Sequence, residues 1–327
     1  MKPGVLIFIG LVALAPLLQA TDQLFYLGLA SRILIYALAA SSLNLVLGYG
    51  GMLSFGHAAF FGAGAYVVGI LAAEGVTSAW IAWPAAVAAS ALAALAIGAI
   101  SLRTRGVYFI MITLAFAQMV YYIAVSLRAY GGEDGMPLAA RSALGGGLDL
   151  ANELIWYYVV LGLLAGMLYL LHRLARSRFG RAIEAIRENE ARAEAIGFPV
   201  YRYKLACFVL AGAAAGLAGA LIANQTRYVS PSLLHWLQSG TLMIMVILGG
   251  VGRLWGGAIG AGVLLVLEHL ISDYRIGWLA ALVPDYQDHA SLAVGIVLLV
   301  IVLFAPQGLA GLLGNKRGTK LEGKRPA

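Results

Sequence analysis

Apolar residues in this chain are gathered into long runs, separated by short polar or glycine-rich segments. A helix that crosses the hydrocarbon core of a bilayer needs about 20 mostly apolar residues. The runs 4–20 and 236–250 are short, and for both of them a tilted, a broken and a re-entrant helix are alternatives to a straight crossing. The pattern predicts an all-α, polytopic membrane protein with about ten transmembrane helices in a single domain over residues 1–327. The ten runs are 4–20, 30–47, 53–73, 78–101, 107–127, 153–172, 205–225, 236–250, 256–272 and 289–307.

The composition supports a membrane location. Hydrophobic residues make up 61% of the chain and charged residues 11%, with a mean hydropathy of +0.87, whereas a soluble domain carries about 25% charged residues. Cys207 is the only cysteine, which excludes an internal disulfide and a cysteine-based metal cluster. Lys2, the apolar stretch after it and Ala20 resemble a signal peptide. An uncleaved first transmembrane helix is the favoured interpretation, because any later span can anchor the chain.

The basic residues are distributed as membrane topology requires, and this argues against a nucleic-acid partner. One side of the predicted topology holds 17 of the 22 Lys and Arg residues: Lys2, Arg103, Arg105, those of the loop 173–204, Arg253 and those of the tail 314–327. The opposite side holds Arg32, Arg128, Arg141, Arg227 and Arg275. Because cytoplasmic loops are enriched in Lys and Arg, both termini are predicted to lie in the cytoplasm.

Two segments outside the predicted spans are long enough to carry a function. The loop 128–152 is rich in glycine and charge and is predicted to be external, and the arginine-rich loop 173–204 is predicted to be cytoplasmic. Most acidic residues fall on the external side. Those available for charge pairing with an external partner are Glu133, Asp134, Asp273, Asp285 and Asp288.

The cytoplasmic loop contains a predicted amphipathic helix from about Arg181 to Ile196. Gly197 and Pro199 follow, as expected where a helix ends. A short helix of this kind lies on a lipid surface, packs on its own protein or docks into a partner's groove. Glutamates among the arginines weaken attraction to anionic lipids and favour a partner of mixed charge. The apolar stripe consists of Ile183, Ile186, Ala193 and Ile196.

Glycine is concentrated in the segment 47–66, LGYGGMLSFGHAAFFGAGAY, which holds six glycines in otherwise apolar sequence. Inside a bilayer, irregular backbone is tolerated only where protein or a water-filled cavity covers it. The glycines therefore indicate close helix packing, a broken helix or both. Packing is the more general explanation, as for the GxxxG pair Gly212 and Gly216.

Polar residues on or beside this segment are candidates for lining a translocation path, because polar groups within a membrane normally face the bundle interior or an aqueous path. For a lone histidine such as His57, a purely structural role is the competing interpretation. The candidates are Asn44, Ser54 and His57, with Thr113, Gln118 and Asn224 as weaker ones.

A second glycine-rich segment is similar to the first. LGYGGMLSFG and LGGVGRLWGG align at an offset of 201 residues. In the predicted topology both reach the cytoplasmic side in the same sense, as in a parallel repeat. Because small residues let helices slide without large clashes, a gate is predicted at these glycines: Gly48, Gly51, Gly56, Gly249 and Gly252.

The cytoplasmic loop resembles the coupling segment of ATP-binding-cassette (ABC) importer permeases, which inserts a short helix into a cleft of the ATPase subunit. The strict signature of that segment, Glu-Ala-Ala, three residues and Gly, is not met: Ile186 follows Glu184-Ala185, and Glu190 stands in the glycine's place. This departure is typical of branched-chain amino-acid permeases. NLVLGYGGMLSFGHAAFFGAGAY, RTRGVYFIMITLAFAQ, the loop and LGGVGRLWGGAIGA together resemble their M-type subunit, over about residues 30–310.

The resemblance implies an all-helical ABC importer permease in a bacterial inner membrane. Its partners would be a homologous H-type permease, two ATPase subunits and a periplasmic binding protein docked on the external acidic residues. The cargo would be branched-chain or related small amino acids, with urea or amides as the alternative within the family. The residues that match the coupling segment are Arg181, Glu184, Arg187, Glu188, Arg192 and Gly197.

Neither an ATPase site nor an enzyme site is recognisable in the sequence. No GxxxxGK[ST] phosphate loop is present, since Arg325 follows the only Gly-Lys pair. ATP and Mg²⁺ are therefore expected on partner subunits, with no cofactor, metal or catalytic residue in this chain. An ion-coupled secondary transporter is the alternative, but apart from Glu153 at the first position of the run 153–172, only Glu268 among the 15 acidic residues falls inside a predicted span.

Overall fold

The computed structural model of the protein describes residues 3–20, 24–145, 149–273, 290–304 and 308–313. Each of the ten apolar runs coincides with a helix, so the all-α class is confirmed. The helices, in chain order, are α1 Pro3–Ala20, α2 Leu24–Asn44, α3 His57–Ala73, α4 Ala79–Ser101, α5 Val107–Ser126, α6 Glu153–Arg176, α7 Arg178–Glu188, α8 Glu190–Ala195, α9 Val200–Thr226, α10 Trp236–Gly249, α11 Gly256–Asp273, α12 Ala290–Phe304 and α13 Leu309–Leu313.

Among the described residues, five helices are long and apolar enough to cross a membrane: Phe25–Tyr49 (α2 with the turn after it), α4, α5, α6 and α9. Helices α1, α3, α10 and α11 contain shorter apolar stretches. The predicted count of about ten crossings is therefore not confirmed. Both α3 and α10 are short because irregular backbone precedes each of them.

Helix α9 lies at the centre of the packing, against α2, α3 and α4. Its glycines allow neighbouring backbones to approach closely. A methyl group added at Gly219 would overlap the Phe61 carbonyl of α3, and one at Gly64 of α3 would overlap the Gly216 carbonyl. The packing role predicted for Gly212 and Gly216 is confirmed, because both face α4, at Ala94 and Ser90.

The chain between α9 and α10 turns back along α3. Strand β2, Tyr228–Val229, pairs antiparallel with β1, Met136–Pro137, and a 3₁₀ turn, Pro231–Leu234, follows. Val229 lies near Gly69 and Leu234 lies against Gly62. Deeper still, the Ser239 hydroxyl accepts a hydrogen bond from the Ala58 amide, at 2.7 Å. The contacts run from residue 69 to residue 58 of α3, a rise of about 16 Å, so α10 starts deep within the bundle.

The prediction of a single cytoplasmic helix over 181–196 is wrong. Asn189 has an extended backbone (φ −156°, ψ 100°) and separates α7 from α8. Its side chain accepts a hydrogen bond from the Arg192 amide at 2.9 Å and caps α8, a role that asparagine fills well. The predicted stripe is divided accordingly: Ile183, Ile186 and Ala193 are buried, while Ile196 is 69% exposed.

Candidate functional site

The helix that starts at Leu24 is broken within the glycine-rich segment. A five-residue π-helical turn, Leu45–Tyr49, follows α2, and non-helical backbone leads to α3 at His57. Gly51 has a positive φ of 65°, which favours glycine. The sequence left close helix packing and a broken helix as explanations for the glycines. Both hold here, since the segment contains a break and also packs closely.

Asn44 joins this break to the second glycine-rich segment. Its Nδ2 donates to the Arg253 carbonyl at 2.7 Å, and its Oδ1 accepts from the Gly252 amide at 2.8 Å. A methyl group at Gly48 would lie 2.7 Å from Gly252 Cα. The two similar segments therefore touch each other, and both have the form of a helix, a break and a helix (α2 to α3, and α10 to α11). We call the contact of residues 44–56 with residues 249–256 the glycine junction.

The other predicted gate glycines also lie in tight surroundings. A methyl group added at Gly56 would lie 3.2 Å from Thr113, and one added at Gly249 would lie 2.8 Å from the Gly260 amide nitrogen. Gly252 adopts a positive φ of 75°. All five predicted glycines thus belong to the glycine junction, and their action as a gate stays a prediction.

The predicted path residues support the backbone of the break. Thr113 Oγ1 accepts from the Phe55 amide at 3.3 Å, and Ser54 Oγ accepts from the Gly56 amide at 3.1 Å. Buried His57 makes a 2.8 Å hydrogen bond to Ser42 through Nε2. Because the Ser42 hydroxyl donates to the Ala39 carbonyl, the histidine is the donor in this pair.

Two further candidates differ in their surroundings. The Gln118 Oε1 atom is buried and has no hydrogen-bond partner among the described residues. Asn224 instead holds the external loop, since its Oδ1 accepts from the Ser142 amide at 2.6 Å. A role in lining a path stays a prediction for the polar residues of the junction and for Gln118.

The coupling-like loop reaches the glycine junction through Arg187. This residue lies in the last turn of α7, and its Nη1 donates to the Gly48 carbonyl. Its Cγ lies 2.7 Å from the position of a methyl group on Gly51. The other residues predicted to contact the ATPase subunit are exposed: Arg181, Glu184, Glu188, Arg192 and Gly197.

Comparison with known proteins identifies the family. The family described as "Branched-chain amino acid transport system / permease component" matches residues 25–304. The chain belongs to this permease family. It is 30% identical over 304 residues to the high-affinity branched-chain amino acid transport system permease protein LivM of Salmonella typhimurium (strain LT2), covering 86% of this chain and 69% of LivM.

Other relatives of the permease are more distant. The high-affinity branched-chain amino acid transport system permease protein LivH of Salmonella typhimurium is 25% identical over 295 residues, with 84% of this chain and 91% of LivH covered. The autoinducer 2 import system permease protein LsrC of Klebsiella pneumoniae is 29% identical over 162 residues, about half of each chain (47% and 46%). No solved structure matches. The M-type resemblance of the motifs is confirmed at the level of the family.

An ion-pair cluster beside the junction was missed by sequence reasoning. Glu190 pairs with Lys204 at 2.7 Å and with Arg105 at 3.3 Å, and Arg105 also reaches Glu194 at 3.4 Å. The three residues that make the first two pairs line a cavity of about 220 Å³ together with Gly51. The sequence offered one sign of this cluster, because Glu190 stands where the coupling signature has a glycine. The ion pair of Glu190 with Arg105 holds α8 against the loop after α4.

The predicted docking residues belong to the side of the chain that the topology prediction places outside the cell. Exposed Glu133 and Asp134 line an open concavity of about 710 Å³ together with Arg128. Asp273 is the last residue of α11, whereas Asp285, Asp288 and the tail 314–327 lie outside the described residues. Docking at these positions stays a prediction.

One buried cation anchors the external loop and was also missed. Arg141 is 5% exposed; it pairs with Glu153 at 2.6 Å and lies over the Trp156 ring at 5.0 Å. It also donates to the backbone carbonyls of Leu150 and Asn224. Sequence reasoning placed Arg141 only among the external charges, because neither its burial nor its partners are visible along the chain.

Proposed function

We propose that this chain is the M-type permease subunit of an ABC importer that carries branched-chain or related small amino acids into the cytoplasm. The family membership places it among transport permeases. The observation that carries the importer mechanism is the contact of Arg187 with Gly48, because it joins a cytoplasmic helix with an exposed polar face directly to a break between two bundle helices. The family alone supports the class of cargo, since the relatives' names include both amino-acid and autoinducer 2 systems.

The proposed partners each have a surface on this chain. The exposed residues of α7 and α8, among them Arg181 and Glu184, are proposed to contact one of two ATPase subunits, which bind ATP and Mg²⁺. The external concavity at Glu133 and Asp134 is proposed to receive a periplasmic binding protein. An H-type permease completes the proposed assembly in the inner membrane, with both termini of this chain in the cytoplasm.

Transport is proposed to follow alternating access. ATP-driven closure of the ATPase subunits displaces α7, and the helices on either side of the glycine junction rearrange. The small residues of the junction permit this movement with few clashes. The path is only weakly selective in this scheme, because the binding protein performs the recognition of the cargo.

The test uses the complex isolated from native membranes through a tag on this chain. After reconstitution into proteoliposomes, uptake of labelled leucine is expected to require ATP at the ATPase face and to survive a protonophore. Unlabelled isoleucine and valine should compete, whereas urea should not; competition by urea alone would assign the amide branch of the family. Uphill uptake by the purified chain alone, driven by a proton or sodium gradient, would establish secondary transport and contradict the proposal.

A further inference from the structure

Helix α7 is held on the bundle by an apolar face and by one charged side chain at its end. Buried Ile183 packs in the cluster that contains Leu45 and Val46 of the first break. Arg187, one turn further on, donates from Nη1 to the Gly48 carbonyl. The carbonyls in the last turn of a helix have no hydrogen-bond partner within the helix. The Arg187 guanidinium therefore supplies a donor to one such carbonyl, that of Gly48, in the π-helical turn that follows α2.

The same guanidinium also reaches the second break. A methyl group on Gly252 would lie 3.5 Å from Arg187 Nη1, and one on Gly51 would lie 2.7 Å from Arg187 Cγ. The absence of a side chain at Gly51 leaves the space that the stem of the arginine occupies. Asn44 holds the two breaks together from the other side, through its contacts with Gly252 and Arg253. Arg187 therefore bonds directly to the first break and lies beside the second, to which Asn44 connects it.

Because Arg187 bonds to the Gly48 carbonyl, a movement of α7 can be passed on to the first break. Arginine offers five donors in a rigid planar group, so a displacement of α7 beyond what the flexible stem of Arg187 can absorb either moves the Gly48 carbonyl or breaks the bond to it. On the Asn44 side, the Gly252 amide depends on the Asn44 Oδ1 atom. A shift at Gly48 therefore changes the position of Asn44 and, through it, of the second break.

We propose that Arg187 is the positioning residue through which displacement of α7 acts on both glycine breaks together. Its guanidinium bonds to its own chain although the residue is exposed, and we assign the contact with the ATPase subunit to the other exposed residues of the loop. The junction itself is a property of this chain, while the source of the displacement rests on the proposed function. Arg187→Met keeps the aliphatic stem over Gly51 and removes the donors.

Hydrogen–deuterium exchange on the full-length chain in lipid nanodiscs tests the junction without any partner. Arg187→Met is expected to speed exchange in both 45–53 and 249–256 by about tenfold, because a hydrogen bond from a charged donor is lost. The informative amides are those of Gly50, Met52 and Gly252, which are bonded to Leu45, Val46 and Asn44. Arg178→Met removes an exposed arginine of the same helix and should leave both segments unchanged.

Faster exchange at only one of the two segments, or equal exchange in wild type and Arg187→Met, would overturn the proposal. A second measurement separates it from the proposed function. In the isolated complex, Arg187→Met should retain its ATPase subunits and hydrolyse ATP, while leucine uptake per ATP falls at least about tenfold, in line with the exchange result. Unchanged uptake per ATP would also overturn it. If the wild-type chain never co-purifies with an ATPase, the proposed function fails and the exchange result still decides the junction.

Discussion

Helices α6 and α9 each contain two glycines four residues apart, and the structure uses the two pairs in opposite ways. On α9, methyl groups at Gly212 and Gly216 would overlap Ala94 and Ser90 of α4. On α6, methyl groups at Gly162 and Gly166 would meet no atom of the described residues within 4 Å outside the helix backbone. The same spacing therefore specifies close packing in one helix and leaves an exposed face in the other. Small residues permit contact between helices but do not create it.

The largest effect is expected at the glycine junction, where the neighbour is backbone and cannot move aside. In Gly48→Ala, the new methyl group would lie 2.7 Å from Gly252 Cα and overlap the Asn44 side chain. We expect a loss of about 3 kcal/mol in the free energy of unfolding, with leucine uptake abolished. Thermal unfolding in detergent and uptake in proteoliposomes measure the two effects. Wild-type uptake in a folded Gly48→Ala complex would remove the junction from the transport mechanism.

A smaller, correctable effect is expected in the α9 pair. Gly216→Ala places a methyl group against Ser90 and 3.0 Å from the Ala86 carbonyl, and overpacking of this kind costs about 1–3 kcal/mol. Because the principal clash is with a side chain, the second substitution Ser90→Gly should recover part of the lost stability. Ser90→Gly alone removes the hydrogen bond to the Phe60 carbonyl and serves as the control. A double variant no more stable than Gly216→Ala would show that the main clash lies elsewhere.

The smallest effect, of opposite sign, is expected on α6. Gly162→Ala adds a helix-favouring residue where no neighbour in the described part of the chain obstructs it, and should stabilise the isolated chain by about 0.5–1 kcal/mol. Thermal unfolding of the isolated chain measures this. Destabilisation there would mean that a neighbour approaches Gly162 in solution, and the contrast between α6 and α9 would be lost.

The comparison also shows how far sequence reasoning reached. The apolar runs located ten of the helices. Hydropathy depends on the residues of one segment and on the solvent around it, and not on which other helices pack against that segment. The similarity of the segments at Gly48 and Gly249 correctly indicated two related elements. It could not indicate that they touch, because contact depends on how α2 and α10 are packed. The break at Asn189 was missed because the apolar stripe on either side of it appeared continuous. The hydrogen bond by which the Asn189 side chain caps α8, from the Arg192 amide, is not apparent from that stripe.

The candidate residues divide in the same way. Chemistry that depends on residue type was recognisable along the chain: the need for polar groups near a break, the charge of the cytoplasmic loop and the family motifs. The direction of each side chain was not. Arg187, which is predicted to contact a partner, also bonds to Gly48, Glu190 forms an ion pair with Lys204, and Asn224 fastens the loop 128–152.

Hydropathy, charge and glycine content were enough to define the helices, the membrane location and the places where a helix is difficult to form. These are additive properties of short segments in a given solvent. Packing alone decided which glycines carry contacts, which polar groups are already satisfied and which cytoplasmic side chain reaches the bundle. Those outcomes depend on pairs of atoms far apart in the chain, and a hydrogen bond such as that from Asn44 to Arg253 exists only after both segments are in place.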